Sequence, residues 1–122
     1  MNIVHVVGAR PNFMKAAPVI RALARHDTEQ KLIHTGQHYD SSMSKVFFDQ
    51  LDLPEPTINL GVGSGSHARQ TAAVMTNLDE YFTRNNVDLV LVYGDVNSTL
   101  AASLTAAKLC IKVGHIESGL RS

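Results

Sequence analysis

The chain has 122 residues, 44% hydrophobic and 18% charged, the proportions of one folded domain and not of a disordered or fibrous segment. Lysine plus arginine and aspartate plus glutamate number 11 each, so no net field draws it to nucleic acid or an anionic membrane, and any anionic ligand must be held locally. With Cys110 as the single cysteine there is no internal disulfide, and with neither a signal-peptide pattern nor an apolar run near the roughly eighteen residues of a membrane span, the expected location is the cytoplasm.

Residues 3–7 (IVHVV) form a β-branched run that stops at Gly8. This predicts a strand buried on both faces of a parallel sheet, with His5 satisfied in the core. Pro11 then opens a helix whose apolar face is Phe13, Ala16, Ala17, Ile20, Leu23 and Ala24. Pro18 interrupts it and predicts either a kink or a regular helix that begins only near Ala17. His26 is expected on the surface near the helix end. Residues 31–35 read as a second strand stopped by Gly36, and residues 43–51 as a helix with Val46, Phe47 and Leu51 inward. Pro54 and Pro56 break the chain before a short third strand at 57–60, and Gly61, Gly63 and Gly65 make a link. Ser66 is placed to cap a long helix reaching about Asn85, with Ala72, Met75, Leu78, Asp79 and Phe82 recurring along its turns. Residues 88–93 (DLVLVY) are the clearest strand, ending at Gly94. An alanine-rich helix at 98–109 and a fifth strand at 112–116 follow, with Cys110 expected as a small buried hydrophobe near the helix end.

Strands alternating with helices, without tight hairpins, imply right-handed crossovers and an α/β, Rossmann-like, doubly wound parallel sheet with helices on both faces. In the order 3-2-1-4-5, strands one and four lie side by side where successive crossovers depart in opposite directions, and a ligand crevice opens there. Residues 8–15, 94–98 and 117–122 would then meet at the carboxyl ends of neighbouring strands, flanked by 36–40. A doubly wound domain would normally run on into a helix after the fifth strand, so an end at Ser122 reads either as a piece of a longer protein or as an unusually short domain.

Three loops carry candidate chemistry. In GARPNFMK, Gly8 permits a tight turn, Arg10 offers a planar fork of donors and Lys15 a point charge, all beside a helix N-terminus that favours anions. Phosphate is the natural ligand, and solvated surface charges the plainer alternative. The spacing is neither G-x-G-x-x-G nor the P-loop pattern, which disfavours a dehydrogenase or a P-loop NTPase. In YGDVNST, Asp95 follows a buried strand and could act as a base or cap the next helix, with Asn97, Ser98 and Thr99 as donors. In HIESGLRS, Glu117 ends the adjacent strand near His115 and Arg121. A second carboxylate beside the first suits paired proton transfers, and a Glu117–Arg121 ion pair is the alternative. None of the six histidines falls in an H-E-x-x-H pattern, and His34 and His38 straddle Gly36, so no metal site is expected.

Taken together and in order, GARPNFMK, TGQHYD, YGDVNST and HIESGLRS resemble the UDP-N-acetylglucosamine 2-epimerase family. That family opens with G-[AT]-R-P-x-x-x-K and continues with T-x-Q-H, G-D-x-x-[ST]-T and H-[VI]-E-x-G-L-R. The resemblance implies the N-terminal Rossmann-like domain, residues 1–122, of a two-domain glycosyltransferase-B enzyme whose C-terminal nucleotide-binding domain is absent from this chain. It implies reversible, cofactor-free interconversion of UDP-GlcNAc and UDP-ManNAc for cell-surface polysaccharide synthesis, by elimination of UDP across C1 and C2 and its re-addition. By the same resemblance Arg10 and Lys15 would steady the diphosphate, Asn97, Ser98 and Arg121 would bind substrate, and either Asp95 or Glu117 could be the base at C2. Gln37, His38, Arg69 and Gln70 match positions where bacterial members bind a second UDP-GlcNAc as activator, although Asp40 stands where several of them have Gln. Members pair as homodimers. Other departures are Asn12 for Glu or Gln, Val96 for Thr, Lys112 for Pro and Ser118 for Ala. Further acidic, Arg and His groups of the family site fall beyond Ser122, so the 122-residue chain alone is expected to be inactive. Three other readings stay open: an epimerase of a UDP-diacetamido-uronate, a hydrolysing 2-epimerase, and a stand-alone nucleotide-sugar binding module.

Overall fold

The computed structural model describes residues 1–8, 10–35, 58–59, 66–93 and 97–116. Within them the alternation of strands and helices is present as β1 (Asn2–Val7), α1 (Arg10–Leu23), β2 (Glu29–His34), β3 (Ile58–Asn59), α2 (His67–Arg84), β4 (Leu89–Tyr93), α3 (Asn97–Lys108) and β5 (Lys112–Ile116). Every strand pairing is parallel and the sheet order is β3-β2-β1-β4-β5, the doubly wound order expected. The expected helix at 43–51, the Pro54 and Pro56 break and the Gly61, Gly63 and Gly65 link lie outside the described residues.

β1 sits at the centre because nearly every side chain on it can be buried. Ile3 and Val7 face one side, with Leu32, Leu91 and Tyr93, and are covered by Phe13, Ala16, Ala17 and Ile20 of α1. Val4 and Val6 face the other, with Ile33, Val90 and Val92, beneath Val74, Leu78 and Phe82 of α2 and Ala101, Ala102 and Ala106 of α3. Burying each such valine, isoleucine or leucine contributes about 1.5–3 kcal/mol, which a half-exposed edge strand would forgo. The alanines of α3 let its backbone approach the sheet closely. At the amino edge, the Asn2 amide donates to the Asp88 carboxylate at 2.7 Å and the Asp88 amide donates to the Asn2 carbonyl at 2.8 Å. These bonds fix the register in which Ile3 lies beside Leu89 and Val6 beside Val92.

Three sequence expectations are corrected. α1 runs from Arg10 through Pro18 to Leu23, so of the two outcomes expected for Pro18 the one that begins the regular helix near Ala17 is overturned. Pro18 is on the exposed side, where water can satisfy the carbonyl that its missing N–H leaves over, and Ala24 lies past the helix end and is exposed. In α2, capped by the Ser66 hydroxyl on the Arg69 amide, the fully buried stripe is Val74, Leu78 and Phe82, with Met75 and Tyr81 beside it, whereas Ala72 and Asp79 face solvent. An i, i+4, i+8 stripe is the row that meets a neighbouring layer, and a carboxylate on it would have been desolvated without a partner.

Cys110 is exposed, not buried. It is the residue at which α3 turns back, with φ of 62°. Its amide donates to the Ala107 carbonyl at 3.1 Å and the Ile111 amide to the Ala106 carbonyl at 2.9 Å, the two bonds of a Schellman ending. The left-handed residue points outward while the next one, Ile111, tucks against the core. A side chain in that conformation costs about 1–2 kcal/mol, part of which glycine returns to the flexible unfolded chain. Cys110→Gly is therefore expected to raise stability by about 0.5–1 kcal/mol, read as a higher urea midpoint, and Cys110→Val to lower it.

Candidate functional site

Because β1, β4 and β5 are parallel neighbours, their carboxyl ends at Val7, Tyr93 and Ile116 lie along one edge of the sheet. The loops singled out in the sequence leave from these three ends. The Gly8 amide donates to Asn12 Oδ1 at 2.9 Å, and Asn12 is buried in the first turn of α1. The chain thus turns from β1 into a helix within two residues, which brings the N-terminus of α1 to the sheet edge. Thr35, just past β2, donates its amide to the Val7 carbonyl at 2.9 Å and its hydroxyl to the same oxygen at 3.4 Å. At β4 the buried Thr99 hydroxyl donates to the Tyr93 carbonyl at 2.6 Å, joining the third residue of α3 to the last residue of the strand. A buried strand end needs such partners, since an unpaired backbone group away from water costs as much as a lost hydrogen bond.

Arg10 is the first residue of α1, and Asn97 and Ser98 open α3, so the backbone brings all three to the same edge as Gly8. Lys15 lies in the second turn of α1 and is partly exposed. Arg69 and Gln70 are in the first turn of α2, where their amides bond the Ser66 hydroxyl at 3.2 Å and the Ser66 carbonyl at 2.9 Å. Asp95, Glu117, Arg121, Gln37 and His38 lie outside the described residues. His115 is exposed on β5, and His34 is buried with its ring 5.3 Å from that of Phe13. His26 is exposed just past α1, as expected. Among the described residues no three histidine, cysteine, aspartate or glutamate side chains gather in a way that could hold a metal ion, and no helix is long and apolar enough to cross a membrane.

His5 is fully buried beneath α1 and is satisfied on both ring nitrogens. Gln30 donates its amide to the Ile20 carbonyl at 3.1 Å, so its Oε1 must accept the 2.6 Å bond from His5 Nε2–H. His5 Nδ1 is then left as acceptor for the Tyr93 phenol at 2.7 Å. One directed chain, Tyr93 to His5 to Gln30 to Ile20, ties β4 through β1 to β2 and the C-terminal part of α1. Burial pushes the His5 imidazole below its ordinary value, with the Gln30 bond opposing, and burial pushes the Tyr93 phenol above the usual range. Both groups are neutral near pH 7. Sequence reasoning placed His5 in the core but did not find its partners, which lie 25 and 88 residues away. Asn12, Thr35 and Gln30 were likewise not picked out as anchors, the only signal being polar side chains beside the ends of apolar runs. At the opposite, amino edge, a cleft of about 240 Å³ is lined by Asn2, Glu29, Lys31, Tyr81, Asn85 and Asn86. None of the described residues among the sequence-predicted site residues borders it.

A family profile described as UDP-N-acetylglucosamine 2-epimerase matches residues 21–122. A UDP-N-acetylglucosamine 2-epimerase homolog from Methanococcus maripaludis is 53% identical over 122 residues, all of this chain and 34% of the relative. A UDP-2,3-diacetamido-2,3-dideoxy-D-glucuronate 2-epimerase from Pseudomonas aeruginosa is 43% identical over an alignment covering all of this chain and 35% of its own length. The crystal structure of the Methanocaldococcus jannaschii UDP-GlcNAc 2-epimerase in complex with UDP-GlcNAc and UDP superimposes with a TM-score of 0.88 at 43% identity, over the whole of this chain and 34% of that one. The chain thus spans about a third of the length of the relatives it matches.

The His5 chain generates a pH signature. Unfolded histidine takes up its proton near pH 6.5, while folded His5, held lower by burial, resists it. The contribution is complete above about pH 6.5 and is lost as the pH falls below that value, by at most about 1.4 kcal/mol per pH unit. The urea midpoint is expected to drop between about pH 7 and pH 5.5, with a shallower slope in His5→Gln. Equal slopes in the two proteins would contradict the assignment.

Proposed function

The chain belongs to the UDP-N-acetylglucosamine 2-epimerase family, and we propose that residues 1–122 are the N-terminal Rossmann-like domain of a glycosyltransferase-B enzyme that interconverts UDP-GlcNAc and UDP-ManNAc without releasing the sugar. The observation that carries the reading is the meeting of the β1, β4 and β5 carboxyl ends, which brings the stems of the GARPNFMK, YGDVNST and HIESGLRS loops to one edge. In an open parallel sheet that edge, at the reversal between β1 and β4, is where ligands bind.

Each loop has a part in an elimination. The N-termini of α1 and α3 offer free amides and the positive end of a helix dipole to the diphosphate, with Arg10 as a planar fork, Lys15 as a point charge and Asn97 and Ser98 as donors. Arg121 adds a third cation. One carboxylate of Asp95 and Glu117 removes the C2 proton as the C1–O bond breaks. UDP departs with the bonding pair, a C1–C2 double bond forms, and 2-acetamidoglucal is left. Return of a proton to the opposite face of C2 and attack of the UDP oxygen at C1 give the epimer. Electrons and atoms balance without an external oxidant or reductant. A sugar C2 proton is barely acidic, so proton removal and stabilisation of the leaving oxygen must act together.

The opposite wall of the cleft, including the main uridine contacts, would come from the C-terminal domain, and the enzyme would act as a cytoplasmic homodimer. Gln37, His38, Arg69 and Gln70 would border a regulatory site for a second UDP-GlcNAc, against which Asp40 counts. A second substrate reading, a UDP-diacetamido-uronate, is favoured by the 43% identity to the Pseudomonas aeruginosa enzyme of that specificity.

Turnover of UDP-GlcNAc by the complete enzyme in D2O is expected to place deuterium at C2 of UDP-bound sugar in both epimers. Accumulation of free N-acetylmannosamine would instead mark a hydrolysing enzyme, and turnover restricted to the diacetamido-uronate would move the substrate assignment. Asp95→Asn and Glu117→Gln should each lower kcat by about a hundredfold or more. The 122-residue chain alone is expected to show no turnover, because it presents one wall of the cleft.

A further inference from the structure

We infer that the outer face of α2 and α3 is the surface through which two copies of this chain pair. The inference rests on the homodimer part of the proposed function and adds the interface to it. Single exposed leucines are ordinary, but α3 exposes two of them one turn apart, Leu100 at 62% and Leu104 at 42%. With exposed Ala107 they form an i, i+4, i+7 stripe opposite the Ala102 and Ala106 that pack on the sheet. α3 carries one charge, Lys108 in its last turn. A helix that is apolar on both sides is covered on both sides.

The neighbouring helix continues the patch. On α2 the side opposite Val74, Leu78 and Phe82 presents Arg69, Ala72, Thr76, Glu80 and Thr83, all exposed. The Thr76 hydroxyl donates to the Ala72 carbonyl at 2.9 Å and the Thr83 hydroxyl to the Asp79 carbonyl at 2.6 Å, so both spend their donors within the helix. The stripe is also self-complementary in charge. Arg69 makes one end positive, and at the other Asp79 and Glu80 outweigh Arg84, which lies 3.8 Å from Glu80. A twofold axis lying across the helices sets α2 against α2 and α3 against α3, each pair antiparallel. Placed midway between Arg69 and Glu80, which are about 16 Å apart along the helix, it brings each Arg69 opposite Glu80 of the partner subunit. Ala72 and Thr76 then lie nearest the axis, where small side chains let the backbones approach, and the leucines of the two α3 helices pack on one another.

A second copy fits this face better than another part of the same chain. The second domain of the proposed enzyme stands across the carboxyl edge, and a helix continuing the layer after β5 would lie beside α3 over Val113, so neither would cross Leu100 and Leu104. Helices of 18 and 12 residues are about 27 Å and 18 Å long and about 10 Å wide, so their outer faces project about 450 Å² per copy, or about 900 Å² for two. That approaches the roughly 1,000 Å² of a specific interface.

Sedimentation equilibrium of the complete enzyme tests the pairing. The wild type is expected to be a dimer, and Leu104→Glu to raise its dissociation constant by about a hundredfold or more, because each copy would bury an unpaired carboxylate. Arg69→Glu should raise it about tenfold, and adding Glu80→Arg should bring it back near wild type. Circular dichroism equal to that of the wild type shows that each variant is folded. Should Leu104→Glu not fold, the charge exchange between two exposed positions carries the test. Wild-type monomers would overturn the homodimer reading and this interface with it. An equally tight dimer in Leu104→Glu, or an Arg69→Glu loss that Glu80→Arg does not recover, would overturn the interface and leave the homodimer reading standing. A lower Tm in Leu104→Glu with dimerisation unchanged would also overturn it, by showing the stripe covered within its own chain.

Discussion

The parallel pairing of β1 with β4 is the constraint on which the rest of the structure depends. It is where the chain reverses the direction in which it winds the sheet, so the helix after β1 covers one face and the helices before and after β4 cover the other. Neither strand could hold this place without burying almost all of its side chains, and the largely apolar runs IVHVV and LVLVY can. The pairing is held at its amino end by the Asn2–Asp88 bonds and between the strands by His5 and the Tyr93 phenol. A histidine in so apolar a layer is tolerated because each ring nitrogen has a partner and the ring stays neutral.

From this pairing follows the placement of the candidate site. At the reversal the helices that follow β1 and β4 cover opposite faces, the arrangement in which open parallel sheets form their ligand crevices. Buried polar side chains serve the ends of the two strands: Asn12 on the Gly8 amide, Thr35 on the Val7 carbonyl and Thr99 on the Tyr93 carbonyl. These contacts have the same physical logic as helix caps and position the helix N-termini that the proposed diphosphate would meet. The pattern joins the core to the proposed chemistry, since the side chains that satisfy the strand ends sit at the stems of the segments proposed to carry it.

Much of the fold was legible in the sequence because parallel strands announce themselves as apolar runs cut off by glycine. The order of the sheet followed from the alternation of elements, β5 from Lys112 to Ile116 matches the expected bounds, and the Ser66 cap was found by residue type and position. The failures are also physical. A regular helix beginning only near Ala17 was one of two outcomes left open by Pro18, because sequence does not show which side of a helix faces water. Ala72 and Asp79 were included in the α2 pattern because spacing alone does not fix the centre of the stripe, whereas Val74, Leu78 and Phe82 do once a neighbouring layer exists. Cys110 was assigned by the habits of its residue type, and the left-handed ending of α3 overruled them. The side-chain anchors were legible only as polar residues in unusual places, because their partners are set by tertiary pairing. The candidate site residues were read from motifs.

The edge formed by β1, β4 and β5 is proposed as one wall of a UDP-sugar elimination site. A crystal structure of the complete enzyme with UDP-GlcNAc bound tests it most directly. The sugar is expected over the ends of Tyr93 and Ile116, the diphosphate at the N-terminus of α1, and a carboxylate oxygen of Asp95 or Glu117 within about 3.5 Å of C2. A sugar bound at the amino edge beside Asn2 and Asn85, or held with neither carboxylate near C2, would contradict it.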